Sequence, residues 1–133
     1  MIVPALGGAP GVRSARYAGP EATDEDNWRK LLRALTGESD RRAAFYCVLV
    51  LLRHAEDPSP LIAEGLWAGE ITQAPAGDGG FGYDPIFWVP DHGCTAASLS
   101  ATTKAAQSHR GRAVAALKAR LAGETLEAWA QQS

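Results

Sequence analysis

From residue 43 to residue 53 nearly every side chain is apolar on both of the alternating faces a strand would present, with aromatic and β-branched bulk at Phe45, Tyr46, Val48 and Val50. A strand of that kind needs cover on both sides, so the pattern predicts a sheet with layers packed on each face. The next residues, His54-Ala55-Glu56-Asp57-Pro58-Ser59-Pro60, are turn chemistry, and residues 61–72 read as a second, more exposed strand. Together they predict a long hairpin, in which Gly65 and Gly69 are candidates for bulges.

The remaining elements follow from punctuation and period. Residues 5–19 hold Gly7, Gly8, Pro10, Gly11 and Gly19, which suits a loop with a short turn of helix. Thr23 then caps a helix whose first turn carries Asp24, Glu25 and Asp26, and Trp28, Leu31, Leu32 and Leu35 recur at helical spacing until Gly37. A glycine loop over 74–82 leads into a short extended segment at 85–89. Residues 97–106 are helical in part, and Ser108 caps a last helix with Val114, Leu117 and Leu121 along one face. Residues 125–132 add a terminal turn. With no internal repeat and no dividing linker, the reading is one domain over residues 1–133, of α/β class, with a mixed sheet of long strands flanked by helices.

At 133 residues, 46% hydrophobic and 21% charged, the chain has an ordinary globular balance. A formal net charge of −2 provides no basic field for gripping a nucleic-acid polymer, although a few local cations suffice for a single nucleotide. The two cysteines, Cys47 and Cys94, are unclustered, which points to a reducing compartment. No secretory pattern opens the chain, and the apolar run from Phe45 to Leu52 is far shorter than the ~20 residues of a membrane helix. We therefore expect a cytoplasmic protein without a membrane partner.

Gly77-Asp78-Gly79-Gly80-Phe81-Gly82 matches the spacing of a dinucleotide fingerprint, but that motif must open a helix, and Tyr83-Asp84-Pro85 followed by Phe87-Trp88-Val89-Pro90 favours extended backbone. What is left is a loop whose glycines allow close approach to a ligand. In an extended stretch Phe81 and Tyr83 would point the same way; either ring can stack on a base, and either can equally lie in a core. Asp84 can accept from ring N–H groups or merely hold its own turn. Ser108-His109-Arg110 at a helix start offers free N–H groups and a rigid fork of donors, suited to an anion or a carbonyl oxygen, and Lys104 can reach the same group. The plainer alternative is a capped surface helix with solvated cations. His54 and His92 have no second ligand at metal spacing.

In the same order along the chain stand Gly7-Gly8-Ala9-Pro10-Gly11 with Ser14-Ala15-Arg16-Tyr17, the strand around Cys47, Glu64-Gly65, Gly80-Phe81-Gly82-Tyr83-Asp84-Pro85-Ile86-Phe87, and Lys104 with Ser108-His109-Arg110. This series resembles the inosine triphosphate pyrophosphatase family over residues 5–122. The resemblance implies hydrolysis of abnormal purine triphosphates such as ITP, dITP and XTP to the monophosphate and pyrophosphate, with magnesium as cofactor and a homodimer as the assembly. It also implies substrate contacts at Phe81, Gly82, Tyr83, Asp84, Lys104, His109 and Arg110. Arg13 stands where similar members usually have an aromatic residue. Members open with a strand, a Ser/Thr-Gly-Asn-x-x-Lys phosphate loop, a metal-binding Glu and an Asp-Asp-Ser-Gly motif with the general base. None of these is in this sequence, so the expectation is an N-terminally truncated member that keeps the base-recognising half, with no catalytic or metal residue of its own. Three readings follow: a pyrophosphatase, an inactive purine-nucleotide-binding remnant, or an unstable fragment whose sheet edge or core face is exposed.

Overall fold

A computed structural model describes residues 1–123. The hairpin forms as its pattern requires. Strand β1 (Arg42–Leu51) pairs antiparallel with β2 (Leu61–Ile71) in unbroken register, from Arg42 opposite Glu70 to Leu51 opposite Leu61. Two short strands extend the sheet: β3 (Phe87–Val89) pairs with the end of β2, and β4 (Cys94–Thr95) pairs with β3. The order is β1-β2-β3-β4, and on the free edge of β1 Ile2 exchanges backbone bonds with Ala44 at 2.8 and 2.9 Å. The α/β architecture of long strands flanked by helices is the one expected; every pairing among the described residues is antiparallel.

One face of the hairpin carries the core. Phe45, Trp67 and Phe87 pack ring to ring there, with centroids 4.6 Å apart for Phe45–Phe87 and 5.1 Å for Trp67–Phe87. Each such pair adds about 0.5–1.5 kcal/mol beyond area burial. The opposite face differs from expectation. Tyr46, Val48, Val50, Ile62 and Leu66 are exposed there, so among the described residues the apolar strand is covered on one side and not on both. Period-2 apolarity says that both faces are fit for burial, and it does not say what buries them.

Helix α1 (Asp24–Ala34) starts in a reciprocal cap: the Asp26 N–H donates to Thr23 Oγ1 at 3.1 Å and the Thr23 N–H to Asp26 Oδ2 at 3.0 Å. Its buried stripe of Trp28, Leu31 and Leu35 joins the core cluster that holds Val3, Ile71 and Ile86. Buried Asn27 donates to the Ala15 carbonyl at 3.0 Å and accepts from the Ala18 N–H at 2.8 Å, so the helix pins the leading loop with its 3₁₀ turns Pro4–Leu6 and Gly11–Arg16. Beyond the helix, Arg41 donates to the carbonyls of Leu35, Ile71 and Thr72 and so ties the end of α1 to the end of β2.

Helices α2 (Ala101–Gln107) and α3 (His109–Ala122) meet at Ser108, whose Oγ accepts from the Gly111 N–H at 3.1 Å as the sequence predicted. Helix α3 lies on the core face of the hairpin. Gly65 and Gly69 make no bulge, because the register runs straight through them. They are instead places of close approach: a Cβ at Gly65 would overlap the His109 carbonyl oxygen and the Ala113 nitrogen, and one at Gly69 would overlap Trp88 and Phe87. The buried side of α3 is accordingly centred on Ala113, while Val114 and Leu121 are exposed, which corrects the predicted stripe of Val114, Leu117 and Leu121. Where β2 offers no side chain, the helix brings up its own backbone at His109 and Ala113. The predicted turn at 125–132 lies outside the described residues.

Candidate functional site

The glycine loop does not open a long helix. It runs through a 3₁₀ turn (Asp84–Ile86) into β3 and forms one wall of a cavity of about 1030 Å³. The start of α1, Met1 and Ser14, and the facing sides of α2 and α3 form the others. Phe81, Gly82, Tyr83, Asp84, Lys104, His109 and Arg110 all line this one cavity, although residues 84 and 104 come from different elements and the sequence only hinted at their meeting. Arg13 and Arg16 are exposed and are not part of its lining; His54 and His92 are exposed in turns.

Asp84 organises the loop. Only 3% exposed, its Oδ2 accepts from the Phe81 N–H at 2.9 Å and also takes the Lys104 ammonium. Gly80 has a φ of +73°, and a Cβ there would fall on the Asp84 carboxylate, so glycine is required on both counts. Lys104 Nζ also stands 4.2 Å from the centroid of the Phe81 ring, a cation–π contact that holds the ring at the rim, where it is 61% exposed. Phe81 and Tyr83 do not point the same way. The chain turns between them, with Gly82 at a φ of +60° and the Asp84 N–H donating to the Phe81 carbonyl at 3.2 Å, and Tyr83 is 4% exposed, with its hydroxyl donating to the Ser14 carbonyl at 2.8 Å. Burial, reinforced by Tyr17 and Asp24, pushes the Tyr83 phenol far above its ordinary value, so it remains a donor.

His109, first residue of α3, stacks on Phe45 with centroids 4.9 Å apart and planes 14° apart. Burial lowers its pKa first, and the nearby Met1 ammonium, Arg110 and Lys104 lower it further against the pull of Asp84, so the ring is neutral at pH 7. Its Nδ1 is buried and lacks a hydrogen-bond partner, alone in this respect among the side-chain atoms of the described residues. Such an orphan costs about 1–3 kcal/mol unless something fills the bond. Arg110 lies exposed beside it at the mouth.

Sequence reading missed Asp24 as part of this site. Its place in the first turn of α1 marks it only as a helix-start charge, yet its Oδ2 accepts from the Gly82 N–H at 2.9 Å, and it lines the cavity. Fifty-eight positions separate the two residues, and no local signal joins them. The cavity's two carboxylates, Asp24 and Asp84, are thus both engaged by backbone N–H groups. No group of three or more His, Cys, Asp or Glu side chains able to hold a metal ion gathers among the described residues. The arrangement suits a flat ring that carries hydrogen-bond acceptors: an aromatic face at the rim, cations and a helix start beneath, and no acid–base pair.

The model of the Ham1 family matches residues 1–120. A dITP/XTP pyrophosphatase of Idiomarina loihiensis is 57% identical over 92% of the chain and 61% of its own length, and that of Escherichia coli strain K12 is 58% identical over 86% and 59%. Among solved structures, a HAM1 protein from Coxiella burnetii superposes with a TM-score of 0.89 at 50% identity, covering 92% of this chain and 64% of that one. The Staphylococcus aureus Ham1 protein gives 0.88 at 45%, covering 93% and 64%. The chain spans about three fifths of the length of the curated relatives it matches.

Proposed function

This chain belongs to the Ham1 family, and from that premise we propose that it serves the hydrolysis of abnormal purine nucleoside triphosphates, ITP, dITP and XTP, to monophosphate and pyrophosphate. The observation that carries the reading is the convergence of Phe81, Lys104, His109 and Arg110 on one cavity at the start of α3. A 6-keto purine presents an acceptor where adenine presents an amino group, so a cleft rich in donors favours hypoxanthine and xanthine. The orphaned Nδ1 of His109 agrees with a ligand that completes the site. Phe81 supplies a face for the ring; Gly82, Tyr83 and Asp84 shape the loop that presents it.

Magnesium is the cofactor that this reading implies, but the described residues gather no donor set for it. The cavity carboxylates contribute positioning, and no step is derived through the metal. We place the activity in the cytoplasm, as one domain whose partner is a second copy of the chain; among the described residues no helix is long and apolar enough to cross a membrane. Because both carboxylates are engaged, a second reading is nucleotide binding without turnover.

Calorimetry with IMP and AMP, beside a pyrophosphate-release assay with ITP, dITP, XTP and ATP in magnesium, tests this. IMP should bind about tenfold or more tightly than AMP, since a site built of donors rejects the wrong edge strongly. Equal affinity for the two, or none for either, overturns base selection; binding without pyrophosphate release selects the second reading.

A further inference from the structure

We infer that Asp24 is a positioning residue of the cavity: its carboxylate anchors the glycine loop through the Gly82 N–H and thereby sets where the Phe81 ring stands. The inference rests on the functional reading above only for what the ring touches; the anchor itself stands on geometry.

Phe81 is a poor candidate to hold its own place. It is 61% exposed, and the loop that carries it has positive φ at Gly77, Gly80 and Gly82, residues that lose much conformational freedom when ordered. Beside the Gly79 N–H bond to the Ala97 carbonyl at 3.1 Å and the Lys104 ammonium over the Phe81 ring, three side-chain hydrogen bonds hold residues 81–83. Asp84 takes the Phe81 N–H from below. Tyr83 reaches across to the Ser14 carbonyl. Asp24 takes the Gly82 N–H at 2.9 Å from the opposite wall. The first is local, three residues apart, and the second holds the loop by the residue after the glycine. Only the third grips the peptide directly after the ring from another element. A carboxylate acceptor makes that bond stronger than a neutral one.

The wall that supplies Asp24 is stiff. The reciprocal Thr23–Asp26 cap fixes the first turn of α1, and Trp28, Leu31 and Leu35 seat the helix in the core. Asp24 projects from that turn, so the peptide after the Phe81 ring is referenced to α1 through this side chain. Its neighbour Glu25 carries the same charge in the same turn, pairs with Arg29 on the exposed side and takes no part in the Thr23–Asp26 cap, which makes it the natural control.

Asp24→Ala, Asp24→Asn and Glu25→Ala would be compared with the wild-type chain by amide hydrogen exchange at Gly82 and by calorimetry with IMP. Asp24→Ala should lower Gly82 protection about tenfold and weaken IMP binding about fivefold. Asp24→Asn, which keeps a neutral acceptor oxygen, should fall between Asp24→Ala and the wild type, losing about threefold in protection, while Glu25→Ala, which removes only an exposed ion pair, should stay within about twofold on both counts. Unchanged Gly82 protection in Asp24→Ala overturns the anchor whatever calorimetry shows. Lost protection with unchanged IMP affinity overturns its reach to the ligand. If the wild-type chain binds no IMP, the functional reading falls, and the exchange measurement alone decides the anchor.

Discussion

His109 is held where its cation is disfavoured: burial comes first, then the positive charges of Met1, Arg110 and Lys104, against Asp84 alone. Its folded-state pKa is therefore below the ordinary value. Such a group gives stability that is fully present above the unfolded pKa of about 6.5 and is lost as pH falls through the folded value. Thermal unfolding followed from about pH 7.5 to about pH 5 should show the wild-type midpoint declining, and His109→Gln should flatten that decline. A decline of equal slope in the variant would assign it to other groups. Of the seven residues singled out from sequence around this site, all line one cavity, yet their individual postures were not legible. The buried posture of Tyr83 depends on the Ser14 carbonyl, and that of Asp84 on Lys104, partners that no local pattern names.

Helix α3 and strand β2 approach as closely as they do because Gly65 has no side chain. Gly65→Ala would drive a Cβ into the backbone of His109 and Ala113, atoms that cannot swing aside, so the helix must lift off the sheet. Overpacking of this kind costs about 2–3 kcal/mol, to be read as a lower midpoint in urea with little change in slope. Because His109 moves with the helix, IMP affinity should fall as well. A variant as stable as the wild type would mean that the helix already stands clear. The elements themselves were largely readable: the cap at Thr23, the hairpin and the cap at Ser108 follow from local chemistry. The purpose of Gly65 was not, because a glycine in a strand signals an exception without saying whether that is a bulge or a neighbour's backbone. The exposed Val114 and Leu121 failed for the same reason, since helical period finds an apolar face and the partner decides which face is used.

At the scale of the molecule, the outer face of the hairpin is left uncovered among the described residues, with Tyr46 opposite Leu66 and Val50 opposite Ile62. Between these pairs Val48 stands opposite Glu64, whose carboxylate accepts from the Tyr46 hydroxyl; a largely apolar surface with one such polar pair is the kind an assembly interface uses, and it supports the homodimer proposed above. Sedimentation should find a dimer that Val48→Lys with Leu66→Lys converts to monomer; a wild-type monomer at micromolar concentration would remove the proposal. The apolarity of both faces is legible in the sequence, but which of them is packed inside is not, because both are built from the same alternating residues.

That alternation restricts the length of this segment more than its letters. Phe45 looks toward the cavity's floor and Tyr46, the next residue, looks away from it. One inserted or deleted residue within either strand would slip the ladder and exchange the two surfaces wholesale. Substitutions can be absorbed one by one along the hairpin, whereas a change of length can be tolerated only in the connection at 52–60, where the chain can gain or lose residues without turning anything over.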